Sequence, residues 1–181
     1  MEFYPPSDHH LYSALQNLWK YSALDGCYRD NTKEPNEQFR ISPQENDIVS
    51  GRHLFGLMTL PNTIQVACGT FQVREENGSD WIGLYIPMGA LATAYDVKAF
   101  PFDTDIESHE NWRKEIDDLL RDIGIFIFET SPFALGLIGH ECSGAKYAED
   151  IKQHSIPVPS QMCYLWPENG QLIYYPRTSR Y

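Results

Sequence analysis

Six consecutive residues, Gly139-His140-Glu141-Cys142-Ser143-Gly144, put a base, a carboxylate, a thiol and a hydroxyl into one short stretch. These are the groups of nucleophilic catalysis, in which an imidazole takes the proton of a thiol or hydroxyl that then attacks. His140 and Cys142 are therefore the candidate catalytic pair, and hydrolysis is the candidate chemistry. Their adjacency weighs against it. On an extended strand His140 and Cys142 point to one face and Glu141 to the other, and near neighbours in sequence rarely hold attacking geometry. Gly139 and Gly144 fit tight turns, which gives the segment a structural reading beside the chemical one.

A second group is the acidic run Asp103-Thr104-Asp105-Ile106-Glu107. Alternating carboxylates could hold a divalent cation. A calcium loop begun at Asp103, however, would put Ser108 where glycine is needed and Lys114 where the bidentate glutamate belongs. The run is better read as the start of a helix, where the macrodipole favours anions. His9 and His10 are adjacent and diverge by about 100° on a helix, so they lack the spacing of helical metal ligands. No metal site is expected, and no cofactor. The sequence contains no Walker A loop, no G-x-S-x-G elbow and no G-x-G-x-x-G fingerprint.

Charge is the strongest functional signal. The formal net charge is −11. Between positions 103 and 150 stand twelve Asp and Glu against four Lys and Arg, so the excess is concentrated there. Such a chain repels nucleic acid and anionic membranes and attracts basic protein surfaces. No apolar stretch approaches the ~20 residues that cross a bilayer. The start of the chain lacks the pattern of a secretory signal. Four cysteines lie far apart with no C-x-x-C pair, which fits free buried thiols and a cytoplasmic setting.

The elements that must position these groups follow from pattern. Ser7 caps a helix over 8–24 with Leu11, Leu15 and Leu18 on one face, and Gly26 ends it. Residues 27–50, with Pro35 and Pro43, read as an irregular connection. Strands are expected over 52–60, 63–74 and 81–86, the last two joined through Asn77-Gly78. Residues 90–100 suit either a strand or a short helix. Trp112, Ile116, Leu119, Leu120 and Ile123 form the stripe of a second helix, over 103–122. Residues 125–129 and 133–140 read as a buried hairpin, and Ser143 as the cap of a short helix reaching 153. Residues 162–166 and 171–175 flank Asn169-Gly170, a strong hairpin signal.

The expected fold is α+β, with mostly antiparallel sheet and two amphipathic helices, in a single domain over 1–181. The element order allows two pseudo-repeated halves, 1–102 and 103–181, each a helix followed by a meander. The expected function is binding without chemistry: an acidic protein that inhibits or neutralises a basic partner, by analogy with immunity proteins that neutralise toxins. Its contact residues would be Asp103, Asp105, Glu107, Glu110, Asp117, Asp118 and Asp122, with Tyr95 and Phe102 as aromatic anchors. Two alternatives stand beside it. One is a small hydrolase using His140 and Cys142 or carboxylates of the acidic run. The other is a structural subunit of a larger assembly, with Tyr164, Trp166, Tyr174 and Tyr175 on an exposed sheet edge and the tail 176–181 as a docking arm.

Overall fold

The computed structural model describes residues 1–76, 78–102, 106–142, 144–154 and 156–178, without the side chains of Val49, Ile106 and Ser108. The expected Asn77 turn, the candidate contacts Asp103 and Asp105, the cap at Ser143 and the end of the tail lie outside the described residues.

The fold is α+β and antiparallel throughout its sheets. After a two-residue strand β1 (Glu2–Phe3), helix α1 spans Asp8–Leu18, with the Ser7 hydroxyl accepting from the His10 N–H at 3.4 Å. Leu11, Ala14, Leu15 and Leu18 are its buried face. The helix is shorter than its pattern suggests. It stops at Trp19, and the chain turns directly into strand β2 (Leu24–Tyr28). Gly26 is thus a strand residue and not a helix stop. A Cβ on Gly26 or on Gly56 of the next strand would strike the Trp19 ring. The connection expected over 27–50 also contains a short helix, α2 (Glu45–Val49).

Strands β3 (Leu54–Thr59), β4 (Gln65–Arg74) and β5 (Asp80–Tyr85) form the expected meander. The five-stranded sheet runs β1-β5-β4-β3-β2. One face, carrying Leu54, Met58, Val66, Cys68 and Ile82, is buried in the main core with α1. The ambiguous 90–100 segment supplies no strand; a one-turn helix α3 (Met88–Leu91) takes in its first two residues and turns follow.

The largest departure is helix α4, Ile106–Thr130. It absorbs the 125–129 segment read as a strand, so the expected hairpin with 133–140 does not exist. Only β6 (Gly136–Ile138) remains of it. The run Ile123–Phe128 looks like a strand because this part of the helix is covered from two directions. Phe126 meets Tyr21 after α1 at 5.3 Å between ring centroids. Gly124 instead lies against Leu165, where even one added carbon would collide. Helices buried on more than one side lose the polar stripe that reveals their period.

A short helix α5 (Ala148–Lys152) leads to strands β7 (Cys163–Glu168) and β8 (Gln171–Tyr175), and the second sheet runs β6-β7-β8. Asn169 and Gly170 both have positive φ, 50° and 79°, as the expected two-residue turn requires. Glu2 stitches the sheets together. Its backbone pairs with Trp81 of β5 and bridges to Leu135. Its buried carboxylate accepts from Ser79 Oγ at 2.9 Å and the Ala148 N–H at 2.7 Å. The main core draws residues from both expected halves, Leu15 and Met58 as well as Ile127 and Leu165.

Candidate functional site

Beyond β1 the outer edge of β5 borders a cleft. One compartment, about 350 Å³, lies among Leu84, Tyr85 and Ile86 at the end of β5, α3, the middle of α4 and the turn after β6. A second, about 220 Å³, continues along Trp81, Ile82 and Gly83 towards Gly124 of α4 and Leu165 of β7. Phe71, Leu84, Leu120, Gly139 and Cys142 border both, so the two are contiguous. The larger has the size of a small-ligand or side-chain pocket, for which about 300–1,000 Å³ is typical.

The walls are mainly apolar and aromatic, and local register explains them. Phe71 stands opposite Gly83, and Tyr85 opposite Gly69. Each ring lies over the glycine of the neighbouring strand, in the space where a side chain would sit. His53 stacks on Phe71 at 5.8 Å and approaches Tyr85 Oη at 3.4 Å. On the opposite wall Phe100 packs edge-on against Trp112 at 5.1 Å, and the Arg113 guanidinium sits 4.7 Å from the centre of the Phe100 ring.

His140, Glu141 and Cys142 do reach this cleft, together with Asp117 and Arg113. The strand ends at Ile138, and a turn with Glu141 at φ 46° carries the chain past the opening. Sequence reasoning found His140 and Cys142 but missed Arg113, Phe71, Tyr85 and Trp112 as their neighbours. The 3.6-residue period of α4 places Arg113 and Asp117 one turn apart on the flank of the Ile116 stripe, and that signal was available.

Two of the groups are poorly prepared for nucleophilic chemistry. Burial pushes the Cys142 thiol above its ordinary range, so the thiolate is scarce near neutral pH. Asp117 is buried, and burial raises its carboxyl despite the opposing pull of Arg113, the Cys163 thiol and Arg177. Its Oδ2 accepts from Cys163 Sγ and from Arg177 Nη1, each at 3.4 Å. The other thiols are buried and free as expected, with Cys27 and Cys68 each pushed up to about 12 by burial.

The described carboxylates of the helix expected to carry an acidic face divide between exposed and engaged positions. Asp117 points inward, which removes it as an exposed contact. Asp118 is held between Lys114 Nζ at 2.7 Å and Arg121 Nη1 at 2.6 Å, and these partners keep its carboxyl below the usual range. Asp122 pairs with Arg121 at 2.8 Å. Glu107 and Glu110 are exposed near the start of the helix. Tyr95 donates to Glu115 Oε2 at 2.9 Å and leans on Trp112, while Phe102 is 86% exposed. Tyr164 and Trp166 are not on an open edge either. They are buried in a second cluster with Trp81 and Ile151, and Tyr164 stacks on Tyr175 at 4.8 Å. The described part of the tail is tied down, with the Thr178 N–H bonded to the Ser160 carbonyl at 2.9 Å.

Among the described residues no group of His, Cys, Asp and Glu is arranged to hold a metal ion, and no helix is long and apolar enough to cross a membrane. No family model matches the chain, and neither a curated protein nor a solved structure is similar to it.

Proposed function

We propose that this is a recognition protein without chemistry of its own, which takes an apolar segment of a basic protein partner into the cleft beside β5. The observation that supports this reading is the lining itself: aromatic and aliphatic walls around a few polar groups, with the Cys142 thiol held protonated and Asp117 engaged by Arg177 and Cys163. Such walls favour burial of a partner's apolar anchor. The net charge of −11 speeds the approach of a basic surface and matches its sign. The expectation of an acidic inhibitor is retained in its partner class, while the contact moves from the helix face to the cleft.

The test uses a partner captured from cells that make the protein, followed by hydrogen exchange on the purified complex. The reading requires slower exchange at 84–92 and 139–142, and an on-rate that falls as salt rises. Protection confined to other surfaces would sink it.

One observation favours a hydrolase as the second reading: His140, Cys142 and Asp117 border the same cleft. A panel of ester and peptide substrates separates the two. Turnover that disappears in both His140→Ala and Cys142→Ser, with unfolding midpoints unchanged, would establish the enzyme instead.

A further inference from the structure

The cavities are lined by consecutive residues of β5, and that is unusual for a strand. Trp81, Ile82 and Gly83 border the smaller compartment, Tyr85 and Ile86 the larger, and Leu84 both. Side chains of a strand alternate between faces, so a cavity over one face touches every second residue. A cavity that meets successive residues abuts the edge. Here it abuts the edge that β1 leaves. The backbones of Met1 and Ile82 exchange hydrogen bonds at 2.9 and 3.0 Å, which fixes the outward direction for Ile82. Two residues on, the Leu84 N–H and C=O point the same way, towards the cleft. Among the described residues no strand pairs with β5 there.

We infer that the occupant binds by strand addition: an extended segment of a basic partner continues the sheet outside β5, pairing its backbone with Leu84. This rests on the recognition function proposed above and specifies its mode. An added strand would send alternate side chains to the two sides of the edge. One set would enter the compartment between Leu91 and Trp112, and the other would lie by Phe71 and Tyr85. Charge selects the occupant's class. The two compartments are bordered by Glu75, Glu141 and the Arg177-paired Asp117 against Arg113 and the amino group of Met1, within a chain of net charge −11. A segment alternating apolar and basic residues satisfies both the walls and the field.

The probe is a fluorescein-labelled heptapeptide of alternating lysine and valine, with two derivatives N-methylated on all valines or on all lysines. In an added strand the N–H groups of one set face β5 and those of the other face solvent. The expected result is saturable binding of the parent, a loss of at least about tenfold for one derivative and less than about threefold for the other. Exchange of the Leu84 amide, read by NMR, should slow by at least about tenfold on saturation. Parent binding with equal effects of the two methylations and an unaltered Leu84 amide would overturn strand addition while leaving recognition at the cleft standing. Failure of the parent to bind would overturn both.

Discussion

The ring of Phe71 fills the space that a side chain on Gly83 would need, and the two residues face each other directly across β4 and β5. The wall of the cleft is therefore built by a pair, and neither member can change alone. Gly83→Ala forces the ring aside and should cost about 1–3 kcal/mol, the usual range for overpacking. In a Phe71→Ala background the same substitution should cost far less, because the obstacle is gone. Urea unfolding of the four proteins measures the coupling. Additive effects would mean that the ring yields freely.

Asp117 should make stability depend on pH in the direction opposite to an exposed ion pair. Burial raises its carboxyl above the ordinary value of 3.8, so the folded state holds the proton more tightly than the unfolded state. Its contribution to stability is then fully present below pH 3.8 and is lost as pH rises through the folded value. Asp117→Asn carries no such term. Denaturation of both proteins from pH 3.5 to about 7 should show wild type losing ground to the variant as pH rises. Wild type gaining on the variant over that span would reverse the assignment and make the arginines dominant.

Cys142 is half-buried, whereas Cys27, Cys68 and Cys163 are buried. A disulfide reagent should therefore label Cys142 first in the native protein. The reaction should be slower than for a free thiol at pH 7 and faster as pH rises, since burial disfavours the thiolate. Cys142→Ser should leave the native protein unreactive until it unfolds. Rapid labelling at neutral pH would show an activated thiol and return weight to the hydrolase.

Thr70 Oγ1 and both amide atoms of Gln72 are buried on the core side of β4 without a partner among the described residues. Each unsatisfied atom costs about 1–3 kcal/mol. The conservative pair Thr70→Val and Gln72→Met should therefore raise stability, by about 1 kcal/mol or more together. Thermal and urea unfolding test this, and a loss would show that water or a neighbouring group satisfies these atoms.

Glu2 bonds Ser79 and Ala148 through separate oxygens in a buried setting. Glu2→Ala strands the Ala148 N–H, takes one acceptor from the Ser79 hydroxyl, and should cost about 1–3 kcal/mol. Glu2→Gln keeps one acceptor and should cost roughly half as much. Equal losses would mean that the carboxylate's packing matters more than its bonds.

Much of the fold was legible because its signals are local. The Asn169-Gly170 turn needs two positive φ angles, and few residue pairs provide them cheaply. The β3-β4-β5 meander showed because a half-open sheet keeps its alternation. Ser7 and the leucines of α1 announced that helix for the same local reasons. Its end was not legible: nothing near residue 18 marks a stop, and the chain turns there because Trp19 finds Gly26 and Gly56 across the sheet to lie on.

Composition and spacing by themselves determined the α+β class, the meander and the last hairpin, and they put His140, Cys142 and Asp117 among the residues of interest. Tertiary structure decided where those residues sit and what they touch. It turned Asp117 inward to Arg177 and Cys163, neutralised Asp118 with Lys114 and Arg121, and carried α4 through Ile123–Phe128, where the sequence resembles a strand. It also brought the turn at 139–142 beside an edge of β5 some fifty residues earlier in the chain. Periodicity reports which face of one element is apolar. Which faces meet, and which edge stays uncovered, depends on packing between elements far apart in sequence, and no local pattern encodes that.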